Sequence, residues 1–157
     1  MTVWGTWKER LGSTPFRTFV AFPIAVFLYE LMAEGMEFSI MPFGILFLVW
    51  GYAQCRLSGK YRIEHGGGGP GIGIPPERLV TQGPYRYVRN PMYLGHLIFM
   101  YGLVLTFRSW FAVLILLFHM YWFHRRVLED EARMHALFGG AYDAYAARVK
   151  RWIPGVF

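Results

Sequence analysis

Hydrophobic and polar positions along this chain alternate in long blocks, not in the two-residue steps of half-buried strands. The first apolar block covers residues 18–33 and is interrupted only by Pro23 and Glu30. A turn without lysine or arginine, Glu34-Gly35-Met36-Glu37, leads to the second block, residues 38–55. A third block covers 91–107, and after the two-residue break Arg108-Ser109 a fourth begins at Trp110. Its helical pattern continues through Arg125 and Glu129 to Phe138, where Gly139-Gly140 ends it. Blocks of about 20 apolar residues are long enough to cross a bilayer as helices. The short turns make two antiparallel hairpins of them. Further on, Phe138, Tyr142, Tyr145, Val149 and Trp152 recur at gaps of four and three, which is one helix face. Arg148, Lys150 and Arg151 flank that face and Pro154 stops it, the pattern of an interfacial amphipathic helix. The fold class is therefore all-α: an integral membrane helical bundle of about four transmembrane helices, with a C-terminal amphipathic helix.

The polar head before the first block carries Lys8, Arg10 and Arg17 beside Trp4 and Trp7 and reads as an interfacial segment. Basic residues ahead of an apolar core also occur in signal peptides, but Pro23, Glu30 and the length of the block favour a span. Glu30 lies near the helix end, within reach of the interface. The chain reads as one membrane domain, residues 1–157, with an N-terminal hairpin (1–56), a polar loop (57–90) and a C-terminal hairpin with its tail (91–157).

Composition sharpens this. Charged residues are 17% of the 157, against roughly 25% in soluble domains. Four spans put both termini and the long loop on one side, together with every one of the 16 lysines and arginines except Arg108. The positive-inside rule makes that side the cytoplasm. Location thus accounts for the net charge of +6 without a nucleic-acid partner. A single cysteine, Cys55, excludes an intrachain disulfide and a cysteine-based zinc site. The five histidines, His65, His96, His119, His124 and His135, include no pair at helical zinc spacing, so no metal site is assigned. His96 and His119 read as buried hydrogen-bonding residues.

Gly66, Gly68 and Gly71 formally match a dinucleotide-binding glycine pattern, but Pro70, Pro75 and Pro76 forbid the helix that must follow it. A linker or lid is the better reading. The loop then ends in a segment dense in turn signals, Gly83-Pro84 and Asn90-Pro91. Pro91 suits a first helical turn and Asn90 can cap it. Arg86, Arg89, Tyr85, Tyr87 and Tyr93 surround that entrance. An arginine at membrane depth costs on the order of 3 kcal/mol at a helix centre and less near the interface, so one kept there can be holding an anion. A positive anchor with an aromatic belt is the plainer alternative. For Glu129-Asp130-Glu131 the two readings are an ion-paired solvated helix face and a carboxylate that accepts hydrogen bonds from a cofactor. Spacing leaves both open.

Two blocks resemble a known family. The first is Leu79-Val80-Thr81-x-Gly83-Pro84-Tyr85-x-x-x-Arg89-Asn90-Pro91-x-Tyr93-x-Gly95. The second runs from Glu129-Asp130-Glu131 through Phe138-Gly139-x-x-Tyr142-x-x-Tyr145 to Val149-x-Arg151-x-x-Pro154. Together they are similar to the isoprenylcysteine carboxyl methyltransferase and phospholipid methyltransferase superfamily. That resemblance implies an integral membrane enzyme using S-adenosylmethionine, with a cofactor pocket at the cytoplasmic face and a lipid-like or hydrophobic acceptor, carboxylate or amine, entering from the bilayer. It implies cofactor contacts from Leu79, Val80, Thr81, Gly83, Tyr85, Asn90, Pro91, Tyr93, Asp130 and Glu131, and catalytic roles for Arg89 and Glu131. Asn90 stands where the family has histidine; an amide still hydrogen-bonds but does not titrate. The alternatives are an NADPH-dependent membrane reductase of the sterol-reductase type and a non-enzymatic membrane accessory protein.

Overall fold

The computed structural model describes residues 13–35, 39–69 and 74–153. The predicted interfacial head with Trp4, Trp7, Lys8 and Arg10 lies outside the described residues. So do Met36 and Glu37 of the first turn, residues 70–73 of the glycine loop, and Pro154.

Helix α1 is the continuous helical stretch Thr14–Glu34. Ser13 caps it, accepting from the Phe16 N–H at 3.4 Å. Pro23 has no N–H to return to the preceding turn, and the turn there widens into a π-wound segment, Arg17–Ala21, in which the Phe22 N–H reaches back to Arg17 O. Helix α2 is Pro42–Gly66. It continues well past Cys55 and absorbs Arg56, Lys60 and Arg62, so the predicted loop start at residue 57 is corrected to the end of this helix. A change from apolar to charged residues does not stop a helix, and Lys60 and Glu64 pair across one turn at 3.7 Å. Helix α3 is Pro91–Phe107 and helix α4 is Trp110–Phe138, both at the predicted bounds. Between them Arg108 takes a left-handed φ of 52°, and Ser109 caps α4 by accepting from the Ala112 N–H at 3.2 Å.

Helix α5 is Gly140–Arg148, shorter than the five-residue stripe implied. Phe138 belongs to α4, Val149 is extended, and Trp152 lies beyond the helix. Its two central aromatics, Tyr142 and Tyr145, are buried in protein, so the predicted lipid-facing role of this stripe is corrected.

By length and composition α1 and α4 can cross a membrane, while α3 is apolar but has 17 residues. The only β-type pairing among the described residues is an isolated parallel bridge between Val88 and Lys150.

The chain forms two compact units. The first comprises Met1–Tyr52 and His96–Leu117. Its core is Val26, Phe99, Leu103 and Ala112, with Phe19, Phe22, Leu48 and Phe107 among the side chains packed against it. Phe19 stacks on the fully buried His96 ring at 4.9 Å and meets Phe99 edge-on at 4.8 Å. Helices α2 and α3 approach closely at Gly102, where a Cβ would lie 2.8 Å from the Leu48 backbone nitrogen. Glu30 is not turned to the surface: it is 5% exposed, with Oε1 buried and without a hydrogen-bond partner among the described residues.

The second unit comprises Ala53–Gly95 and Phe118–Phe157 and contains both motif blocks.

Candidate active site

Within the second unit a cleft is walled by Ile74, Pro75, Pro76, Leu79 and Val80 on its apolar side and by Arg89, Asn90, Asp130 and Glu131 on its polar side. The apolar wall is loop backbone held by α2. Arg62 donates to Ile74 O at 2.6 Å and to Gly69 O at 3.0 Å, and the Arg78 N–H bonds Gly66 O at 2.9 Å. Proline fixes the chain direction through Pro75 and Pro76 at little further entropic cost.

The next segment is a 3₁₀ turn, Gly83–Arg86, that delivers Tyr85 to the cleft. Gly83 sits at φ 58°, and a Cβ there would collide with the Tyr61 ring, so only glycine fits. Tyr85 O accepts from the buried Tyr145 hydroxyl at 2.6 Å, which ties this turn to α5. The extended tail after α5 then runs beside residues 88–90. The Arg89 N–H donates to Lys150 O at 2.9 Å, and the Asn90 amide nitrogen lies 3.5 Å from Arg151 O.

The polar side is built around the carboxylates of Glu131 and Asp130. Arg151 grips Glu131 with a side-on fork, Nε to Oε1 at 3.0 Å and Nη2 to Oε2 at 2.8 Å. Arg89 Nη2 stands 3.4 Å from Oε1, and the Asn90 amide reaches the same oxygen at 3.4 Å. Arg89 and Glu131 side chains are each only 13% exposed. Arg89 Nε is buried and has no hydrogen-bond partner among the described residues. The fork to Glu131 raises the pKa of Arg151 further. One residue back on α4, Asp130 Oδ2 accepts from the Tyr93 hydroxyl at 2.6 Å and Oδ1 meets Arg133 at 3.3 Å. Tyr93 is itself steadied by an edge-on contact with Phe123 at 5.2 Å.

Tyrosines complete the lining. Burial pushes the Tyr142 phenol up to about 12, with Glu131 adding to the rise and Arg89 opposing it. Burial also raises Tyr85 and Tyr145. All three phenols therefore stay protonated at neutral pH and keep a hydrogen to donate.

The structure brings together Leu79, Val80, Tyr85, Arg89, Asn90, Pro91, Tyr93, Asp130 and Glu131 around this cleft. Thr81 and Gly83 do not line it, and Gly83 serves the packing on Tyr61 instead. Arg86 and Tyr87 point to solvent, because the 3₁₀ turn sends Tyr85 inward and its followers out. Of the acidic triplet, Glu129 is exposed while Asp130 and Glu131 face the cleft. Arg133 pairs with Asp130, three residues back on the same helix.

Sequence reasoning passed over Arg62, Arg133, Met134, Tyr142 and Tyr145 as lining residues and Arg151 as the partner of Glu131. Tyr142, Tyr145 and Arg151 were already inside the second block, and their fixed spacing to Glu131 was the available signal. No histidine lines the cleft among the described residues.

The cleft thus combines an apolar wall, four phenols, three arginines and two carboxylates. Such a surface can hold a zwitterionic, partly apolar ligand.

Residues 38–140 match the family model described as phospholipid methyltransferase. A stretch of 77 residues is 32% identical to protein-S-isoprenylcysteine O-methyltransferase of Schizosaccharomyces pombe, covering 48% of this chain and 33% of that protein. The match therefore spans about a third of the relative's length. With both motif blocks lining one cleft and the family match covering well over half of the sequence, this chain belongs to the phospholipid methyltransferase family, in the superfamily that also holds the isoprenylcysteine carboxyl methyltransferases.

Proposed function

We propose that the protein is a membrane methyltransferase that moves a methyl group from S-adenosylmethionine to a lipid-like acceptor. The observation that carries this reading is the buried Nε of Arg89, which has no hydrogen-bond partner among the described residues, in a cleft where Asp130 Oδ1 is likewise buried without a hydrogen bond. A buried guanidinium donor without a partner is costly unless a ligand supplies one, and a carboxylate is the group its side-on edge fits.

The lining suits the cofactor part by part. The apolar wall of Ile74, Pro75, Pro76, Leu79 and Val80 would receive the adenosyl group. Arg89 would take a carboxylate, and Asp130 an ammonium. Tyr85, Tyr93 and Tyr142 offer ring faces and phenols beside a cationic sulfur. When bound, the cofactor supplies an already activated methyl group on a sulfonium.

The protein's own work is then to orient the reactants and exclude water. Tyr93, held by Asp130 and Phe123, is a rigid edge for that purpose. Glu131 has both oxygens engaged by Arg151, so neither is free for another partner's proton. A carboxylate acceptor needs no general base and so suits this site better than an ammonium. The acceptor would enter from the bilayer. The positive-inside pattern supports a reading with the cleft and both termini on the cytoplasmic side of four spans.

The test is turnover in lipid nanodiscs with radiolabelled S-adenosylmethionine and a set of lipid carboxylates and amines. Methyl transfer to a carboxylate that is lost by 100-fold or so in Arg89→Ala is expected, the size of a removed charge-assisted contact. An Arg89→Ala protein that folds and turns over normally would sink the assignment of that residue.

A further inference from the structure

Two arginines compete for one carboxylate in this cleft. Arg151 holds Glu131 by the side-on edge of its guanidinium, Nε and Nη2 together, at 3.0 and 2.8 Å. Arg89 touches the same carboxylate only through Nη2, at 3.4 Å, while its Nε has no hydrogen-bond partner among the described residues. A modest turn of Glu131 would give Arg89 the fork that Arg151 now has. Both oxygens are held away from that position by a residue 20 places later in the chain, on the tail that follows α5.

That tail is itself well anchored. Val88 and Lys150 form a bridge, the Arg89 N–H bonds Lys150 O at 2.9 Å, and Asn90 approaches Arg151 O at 3.5 Å. The fork on Glu131 and the register of Arg89 are therefore set by the same few residues. The Tyr142 phenol, raised by Glu131 and lowered by Arg89, lies within their electrostatic reach.

We infer that Arg151 is a positioning residue: by engaging Glu131 bidentately it keeps that carboxylate from closing on Arg89, and so leaves the buried Arg89 Nε unengaged, as a donor for a ligand carboxylate. This rests on the methyl-transfer reading. The receptor's chemistry is the same whether the carboxylate belongs to the amino-acid part of the cofactor or to the acceptor. Without Arg151, Glu131 turns its full charge on Arg89, and the site is blocked by its own acid. A merely structural Arg151 would staple the tail and nothing more, and the two roles differ in how they respond to removal of the Glu131 charge.

The experiment compares wild type, Arg151→Gln, Arg151→Lys and the double variant Arg151→Gln/Glu131→Gln in nanodiscs. Each is titrated calorimetrically with S-adenosylhomocysteine, with 5′-methylthioadenosine, which lacks the amino-acid part, and with palmitate against methyl palmitate. Arg151→Gln should weaken a carboxylate-bearing probe on the order of tenfold, as expected for one lost charge-assisted contact, and leave its carboxylate-free counterpart unchanged. The double variant should recover most of that affinity, because the self-blocking charge is gone. Arg151→Lys, with a charge but no fork, should fall between wild type and Arg151→Gln, and it carries the comparison if Arg151→Gln does not fold. A loss confined to S-adenosylhomocysteine assigns the cofactor's carboxylate, and a loss confined to palmitate the acceptor's. Wild-type affinity in Arg151→Gln for both probes, or a double variant no better than the single, overturns the inference alone. Failure of the wild type to bind S-adenosylhomocysteine overturns the methyl-transfer reading and this inference with it.

Discussion

Tyr145 illustrates how much of the site depends on single polar contacts. Its hydroxyl, 3% exposed with the rest of the residue, donates to Tyr85 O at 2.6 Å across 60 residues of chain. Tyr145→Phe removes the donor and leaves a buried carbonyl short of a partner, which costs about 1–3 kcal/mol. Urea unfolding in micelles should register that loss, and a change too small to resolve would mean that water replaces the hydroxyl. Tyr93 and Asp130 form a second such pair. At this scale the sequence was partly legible. Arg89 and Tyr93 stood out because charged and phenolic groups beside apolar blocks demand partners, whereas Asp130 and Glu131 were set apart from Glu129 only by the resemblance to the family. What those partners were did not stand out. Glu131 meets Arg151 through a non-helical tail, and no periodicity rule links residues 20 apart across a helix boundary.

Among the elements, α3 and α4 could be read from their stop signals: Pro91 at a first turn, Arg108-Ser109 as a break, and Gly139 with φ 51° at the end. The end of α2 was misread because charge was taken for termination, whereas helices end at breakers, here the glycines from Gly66 onward. The stripe of Tyr142 and Tyr145 was correct as a helical face, but a period of 3.6 says only that one face is apolar. Whether lipid or protein covers it depends on tertiary packing. The 3₁₀ turn Gly83–Arg86 is the element on which Tyr85 depends. Gly83→Ala forces an L-residue to φ 58° and a methyl into the Tyr61 ring, with a backbone cost alone of about 1–2 kcal/mol. Lower affinity for S-adenosylhomocysteine together with lower stability is the expected result. Wild-type values for both would show that the turn adapts without disturbing Tyr85.

For the whole molecule, the family match and the two helices of spanning length and composition support a membrane protein, and its proposed direction rests on the charge pattern. Cys55 is buried, so an introduced surface thiol can be read by an impermeant maleimide in sealed vesicles. Glu34 and Tyr87 are both exposed. Four spans with cytoplasmic termini predict that Tyr87→Cys labels only from the cytoplasmic side and Glu34→Cys only from the other. Labelling of both from one side would remove the first hairpin from the account.

The central claim is that the cleft around Arg89 and Glu131 takes S-adenosylmethionine. The most direct measurement is a calorimetric titration of the purified protein in nanodiscs with S-adenosylhomocysteine, repeated with NADPH. Saturable binding of S-adenosylhomocysteine, abolished by Arg89→Ala, with no heat from NADPH, is the predicted result. Binding of NADPH in its place, or of neither, would contradict it.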